Sequence, residues 1–390
     1  VGKSRAALVA VIALAALAFD AAFATRHGFF DLKVYFGAIN WWAHGHGELY
    51  DYLKPNSTYG FTYPPFAAFA MLPMAIVPWP VAITIASVLT IAATVLVVWW
   101  LVRPLVPRDA LYAAGITLAL LIAYEPMRET FLFGQVNMLL VALVAGDLLF
   151  PTRQRRWWAG IGIGLATAIK LTPGLFIIYL LVTRRFRAAG TAMATAAGVT
   201  LVACAIAPDA AREFFTNALW DTDRVGSLAF VSNQSLQGLV ARLDPAHPSK
   251  VLWLVLVLAA VAVWIWKIRQ ADLVTGLALT GVVSCLLSPV TWIHHLVWLV
   301  PAFVLLVRAG GWRFRLAAVS YVILCSKLVW VFDNRFFSFW GYLGSNAYVF
   351  ITVVFLFAVP SRSADDAVAQ LGVAGAAAGG RPDLADPVRP

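Results

Sequence analysis

Residues 27–65 read HGFFDLKVYFGAINWWAHGHGELYDYLKPNSTYGFTYPP, with apolar runs on both sides. This is the first long stretch that water could hold. It carries Asp31, Lys33, His44, His46, Glu48, Asp51 and Lys54 among Trp41, Trp42, Tyr50, Tyr59 and Tyr63. In so oily a chain it decides the fold: the stretch must stand outside lipid, and its flanks must cross it as helices. Phe30, Val34, Ile39, Trp41 and Trp42 can share one face of a short helix lying in the interface. Asp31 opens that helix. It could cap the backbone there or act as a general base at the membrane–water boundary, and the local sequence leaves both readings open.

Composition points the same way. Of 390 residues, 62% are hydrophobic and 12% charged, with mean hydropathy +0.82. A soluble domain carries about 25% charged residues, so a water-soluble core is excluded and an all-α polytopic membrane protein is expected. The net charge of +10 would suit nucleic acid in a soluble protein. Here Lys and Arg fall in short clusters between apolar runs, which marks cytoplasmic loops. No nucleic-acid partner is expected. Cys204, Cys285 and Cys325 lie in or beside apolar runs, so no disulfide framework is expected.

The apolar runs predict about twelve crossings. They are 6–25, 79–102, 110–124, 136–150, 158–169, 173–182, 188–207, 251–266, 273–287, 296–307, 316–332 and 347–359. The first is expected to remain as a span, with Asp20 inside it. Residues 64–78 are proline-broken and too short for a hydrocarbon core of about 30 Å, so they are expected to be re-entrant or surface-lying. Residues 1–360 form one catalytic transmembrane domain, with outer loops at 26–65 and 209–249. The remainder, 361–390, has a disordered composition. No repeat of fixed period is visible, which disfavours a transporter of inverted repeats.

The polar clusters fall on the side opposite the arginines. They are EPMRET (125–130), AIKLTP (168–173), SNQS (232–235) and SPVTWIHH (288–295). Ionisable groups near lipid are costly and default to a functional reading. Arg128 either pairs with Glu125 and Glu129 or meets a phosphate. Lys170 either snorkels or meets a phosphate. His294 and His295 are adjacent, so on a helix they diverge by about 100°. With no third ligand at zinc spacing, no metal site is expected. Asp221-Thr222-Asp223 spells a D-x-D triplet that other enzymes use for a divalent ion, but three residues match by chance. Trp41, Trp42, Tyr63 and Trp292 suit either an interfacial belt or sugar stacking.

Six segments then fall in a telling order: DLKVYFGA, FTYPPFAAFAMLPMA, EPMRETFLFGQVNMLL, GIGLATAIKLTPGLFIIYLL, SNQSLQGLVARL and SPVTWIHHLVW. Together, from about Asp31 to Trp298, they resemble the actinobacterial polyprenol-phosphate-mannose-dependent mannosyltransferases of GT-C type. The resemblance implies a GT-C helix bundle in the plasma membrane with a periplasmic active site. It implies a polyprenyl phosphate mannose donor, a phosphatidylinositol mannoside (glycolipid) acceptor, an α-(1→2) product and no cofactor. Asp31 falls where the family's catalytic aspartate lies. By their chemistry, Lys170, His295, Arg128 and His294 are expected at the donor phosphate. Tyr63, Glu125, Gln135, Asn137, Asn233, Gln234 and Trp292 are expected to bind substrate. A monomer in the lipid bilayer is expected. Sister enzymes that branch lipomannan or arabinan are alternatives within the family, and a lipid-linked sugar flippase or transporter is the alternative of another class.

Overall fold

The computed structural model describes residues 2–23, 27–221 and 226–361, and these are helical throughout apart from turns and an isolated bridge between Leu53 and Gly60. Asp221 is therefore described, but Thr222 and Asp223 of the D-x-D triplet and residues 362–390 of the tail lie outside the described residues. Among the described residues, four helices are long and apolar enough to cross a membrane: Gly2–Phe23, Trp79–Val102, Phe186–Ile206 and Lys250–Ile268. Two bent pairs, Pro107–Ala123 with Glu125–Phe133 and Phe339–Ser345 with Ala347–Ala358, pass the same test together. Shorter apolar helices make up the rest.

The chain opens with α1 (Gly2–Phe23), which packs on the helix Ala110–Ala123 and otherwise shows Leu8, Val11, Leu14 and Leu17 to its surroundings. That face suits lipid, where exposed leucine costs nothing. Helix α2 (Phe30–Ala43) forms as its apolar spacing predicts, with Leu32, Val34, Tyr35, Ala38 and Ile39 buried and Trp41 exposed. The capping expectation for Asp31 is corrected. Phe29 is the N-cap, in the left-handed region at φ 57°, and no side chain caps the helix. That places Asp31 within the first turn, its side chain free for another partner.

Helix α3 (Pro65–Met71) and the single turn Leu72–Ala75 are the short proline-broken segment, and they pack beneath α2. Then come α4 (Trp79–Val102), α5 (Ala110–Ala123) and α6 (Glu125–Phe133). The stretch 125–133, which holds the polar EPMRET cluster, is helical and turned by 70° from α5. Pro126 explains the turn: it presets φ and suits a new first turn but removes a backbone donor from a continuous helix. Helices α7 (Asn137–Asp147), α8 (Ile161–Ile169), α9 (Leu175–Val182) and α10 (Phe186–Ile206) follow. Asp147 is buried and clasps the turn between α7 and α8, accepting from Gly160 N, Ile163 N and Thr152 Oγ1.

After α11 (Pro208–Glu213), α12 (Leu236–Ala241) and α13 (Lys250–Ile268) comes the centre of the bundle, α14 (Leu273–Leu287). Every residue of α14 from Thr275 to Leu286 is buried. Lipid tails are as apolar as leucine, so tight packing of small residues holds such a helix. At Gly281 a Cβ would stand 2.7 Å from the Trp298 carbonyl, so only glycine admits the neighbouring segment. That segment is the 3-10 helix Ile293–Leu299, continued by α15 (Val300–Ala309). Helices α16 (Gly311–Cys325), α17 (Leu328–Val331), α18 (Phe339–Ser345) and α19 (Ala347–Ala358) complete the bundle.

The basic loops gather at one end. Arg308 donates to the Leu105 carbonyl, Arg5 pairs with Asp109, Arg313 donates to Ala358, and Lys267 donates to Leu356 and Phe357. Arg313 and Lys267 thereby meet the last carbonyls of α19, which want cationic partners. Lys170 and His295 follow the far ends of α8 and α14, whose first turns come after the basic stretches 153–156 and 267–269.

Candidate active site

The site is built where α2 meets the end of α6. Gly134 ends α6 with φ +71°, and a Cβ there would lie 2.6 Å from Leu32 Cβ. Glycine thus serves two needs at once: a left-handed cap and close approach of α2. The approach brings Asp31 to Gln135, whose Nε2 donates to Asp31 Oδ2 at 2.6 Å.

From Gln135 the network runs to the facing elements. Tyr63 OH, just before Pro64 and Pro65, donates to Gln135 Oε1 at 2.9 Å. Tyr35 OH donates to Tyr63 OH at 2.9 Å. Lys170 Nζ reaches Tyr63 OH at 3.4 Å, Asn137 Oδ1 at 3.1 Å and His295 Nε2 at 2.9 Å. Five segments far apart in the chain thereby converge: Asp31 with Tyr35, Tyr63, Gln135 with Asn137, Lys170, and His295. Lys170 sits in the extended break after α8, at φ −148°, which turns its side chain back toward this cluster.

Burial tunes two of these groups. It pushes the Asp31 carboxyl up to about 6, against the Gln135 hydrogen bond and the Lys170 charge, which favour ionisation. Burial holds the Lys170 ammonium down at about 8, with the Asp31 charge opposing. Near neutral pH the carboxylate is mostly ionised and the amine mostly protonated. Both sit close to where a proton can be exchanged cheaply.

His295 adds a constraint on protons. Its Nδ1 accepts the backbone N–H of Trp292 at 3.1 Å. A neutral ring then keeps its hydrogen on Nε2, aimed at Lys170 Nζ. The ammonium and the Nε2–H therefore face each other across 2.9 Å with no acceptor between them. An anion between the two would accept from both. Lys170, Asn137 and His295 border a small pocket with Thr172, Ser288 and Thr291, and no carboxylate lines it.

Other expected site residues are placed differently. Arg128 is not in this network. Its Nε pairs with Asp20 at 3.5 Å, its NH2 reaches the Cys325 carbonyl at 3.4 Å, and its guanidinium lies over Phe19. The physical reason is the turn of α6, which points residue 128 toward α1 and α16 while residue 130 faces the 3-10 helix. Glu125 is fully buried and accepts from Trp330 Nε1 and Tyr348 OH, so neither oxygen is left for a sugar. Asn233 is spent on Leu228 O, Pro289 O and Thr291 N. Gln234 is spent on Val231 O, Ser345 O and Val349 N. These two bind the chain to itself, and Arg242 completes the clasp through Asn346 Oδ1, Phe230 O and Asn233 O. His294 is buried against Phe133, its carbonyl accepting from Thr130 and Asn137. It orients the segment and makes no hydrogen bond to Lys170. Tyr63 and Gln135, expected to bind substrate, are buried with their bonds made internally. Trp292 keeps part of its surface, with its ring against Phe230. Among the described residues, no group of three His, Cys, Asp or Glu could hold a metal ion.

Two residues were missed by the sequence reading. Tyr35 lies four residues after Asp31, hence on the same helical face, and that spacing could have flagged it. His27 pairs with Glu129 at 3.0 Å, stacks on Phe133 at 4.0 Å and lies within electrostatic reach of Asp31. Nothing in the local sequence marks it.

Comparison with known proteins bears on the whole bundle. The model of "Glycosyltransferase family 87" matches residues 61–289, which take in Tyr63, Gln135 and Lys170 and leave Asp31 and His295 outside. A protein of Mycobacterium tuberculosis, polyprenol-phosphate-mannose-dependent alpha-(1-2)-phosphatidylinositol mannoside mannosyltransferase, is 36% identical over 287 residues, 69% of this chain and 66% of its own length. A protein of Mycolicibacterium smegmatis with the same name but for a pentamannoside is 34% identical over 304 residues, 75% of this chain and 73% of its own length. The chain thus spans just under two thirds of the first relative. No solved structure matches it. A family match over more than half the chain, backed by relatives one-third identical, makes this protein a member of glycosyltransferase family 87.

Proposed function

We propose that the protein is a membrane mannosyltransferase. It moves mannose from polyprenyl monophosphate mannose to a phosphatidylinositol mannoside, forming an α-(1→2) linkage with inversion on the periplasmic face of the plasma membrane. The relatives' names suggest both substrates. The observation that carries the reading is the continuous hydrogen-bonded path from the Asp31 carboxylate through Gln135 and Tyr63 to Lys170 and His295.

The chemistry fits that path. The donor brings its own leaving group, a phosphate on lipid. Single displacement at the anomeric carbon needs one base, which takes the acceptor hydroxyl proton as the new bond forms. Asp31 serves: Oδ2 is held by Gln135, and Oδ1 has no hydrogen-bond partner among the described residues. A hydrolase would want two carboxylates at set separation, and Asp31 is the sole carboxylate in this network. The departing phosphate gathers charge, and fixed donors in a water-poor cleft stabilise it more than water could. Lys170 and His295 are those donors. An arriving phosphate would accept from the Lys170 ammonium and the His295 Nε2–H together.

A flippase would need polar groups strung from face to face. Here the unspent groups collect at one end of the helices, which favours the transferase. The test is to incubate membranes with sugar-labelled polyprenyl phosphomannose and a panel of phosphatidylinositol mannosides. The proposal expects labelled glycolipid and free polyprenyl phosphate. Label that crosses the bilayer with its phosphate bond intact would overturn it.

A further inference from the structure

The polarity of the hydrogen bonds around Tyr63 has a consequence for Asp31. Tyr63 OH is one oxygen with one hydrogen. It receives the Tyr35 hydrogen at 2.9 Å and a Lys170 hydrogen at 3.4 Å. Its own hydrogen is then left for Gln135 Oε1, at 2.9 Å. An amide whose oxygen is so engaged must turn its NH2 the other way, onto Asp31 Oδ2 at 2.6 Å. The reversed amide would press oxygen against carboxylate oxygen, and NH2 against a hydroxyl whose lone pairs already accept two hydrogens. Gln135 is 6% exposed and Tyr63 6%, so water cannot replace either bond. The Tyr63 backbone is anchored as well, its carbonyl accepting from Tyr50 OH at 2.7 Å.

We propose that Gln135 is a positioning residue for Asp31, and that Tyr63 fixes the direction of its amide. The pair fastens one carboxylate oxygen and keeps it ionised, leaving Oδ1 turned toward the acceptor hydroxyl. This inference rests on the reading of Asp31 as the base. It differs from the expectation that Gln135 and Tyr63 contact sugar, because each acts here through another side chain. Removing the amide donor leaves a buried carboxylate with less to stabilise its charge, so the carboxyl must rise further.

The test is the pH profile of kcat for Gln135→Leu and Tyr63→Phe, with polyprenyl phosphomannose and a phosphatidylinositol mannoside as substrates. Gln135→Leu is expected to lower kcat at neutral pH at least about tenfold while moving KM for either substrate less than about threefold. Its acid limb should move up by about one pH unit, since a hydrogen bond to a charged group is lost. Tyr63→Phe should move the limb the same way by less. It removes a single oxygen, so it carries the test if Gln135→Leu does not accumulate in membranes. A loss of equal size at every pH, or a raised KM with kcat intact, overturns the positioning role. An inactive Asp31→Asn beside an unmoved limb in Gln135→Leu discards the positioning role alone. An active Asp31→Asn discards the base and the positioning role together.

Discussion

Two regions of this molecule are rich in polar side chains, yet chemically opposite: one is fully buried, the other keeps part of its surface. One is the clasp of Asn233, Gln234, Arg242 and Asn346. The other is the cluster of Asp31, Gln135, Tyr63, Lys170 and His295. In the clasp each side-chain amide and the guanidinium meet backbone carbonyls, backbone amides or each other. Nothing there is left over. In the cluster, Asp31 keeps an oxygen without a hydrogen-bond partner among the described residues, and the Lys170 ammonium and the His295 Nε2–H face each other with no acceptor between them. Burial also brings Asp31 to about 6 and Lys170 to about 8. A satisfied network fixes shape. A network with unspent capacity and shifted protons is where chemistry is expected.

The comparison can be broken at either end. The largest effect is expected from Asp31→Asn, which keeps the Gln135 contact in size and removes the base. Transfer should fall about 10²–10⁴-fold with the melting temperature of the detergent-purified protein little changed. Near-normal turnover would remove Asp31 from the reaction. Lys170→Ala should lower kcat/KM for the lipid-phosphate donor about 10²-fold, the scale for one fixed donor at a developing anion. The acceptor's KM should move much less, and equal damage to both substrates would argue against a phosphate role.

The clasp predicts the reverse pattern. Asn233→Ala takes the partner from Thr291 N and from the Leu228 carbonyl, while Pro289 O keeps Ser235 Oγ, and should cost about 1–3 kcal/mol of stability. The rate per folded molecule should stay within a few-fold, and a hundredfold loss in a stably folded variant would erase the distinction between the regions. Glu125→Gln should do least. Tyr348 and Trp330 both donate to this carboxylate, and the amide keeps one acceptor. A stability loss of about 1 kcal/mol with transfer intact is expected.

Much of this was legible in the sequence, for a physical reason. Asp31 and Lys170 stood out because ionisable groups are expensive beside lipid, and the structure joins them in one network. The spacing of α2 and the shortness of the proline-broken segment after it were legible too. What sequence could not show was which polar atoms find partners. Asn233, Gln234 and Glu125 look as reactive as Gln135 when written as letters. Their bonds depend on α18, α19 and the 288–291 turn, more than 50 residues away in the chain. Arg128 was misplaced because the turn at Pro126 was unseen, and a helix sends residues 128 and 130 to different faces. The cap reading of Asp31 failed because Gly28 and Phe29 both take positive φ, which shifts the helix start by two residues.

The central claim is that one half-buried carboxylate and one half-buried amine work in a single centre. The rate of mannose transfer measured from about pH 5 to pH 9 tests it most directly. The account predicts a bell for kcat/KM, falling below about 6 as Asp31 takes up a proton and above about 8 as Lys170 loses one. With donor saturating, the basic limb should retreat to higher pH, because bound phosphate favours the ammonium. A rate that stays flat through pH 6, or an acid limb that persists in the residual activity of Asp31→Asn, would contradict the account.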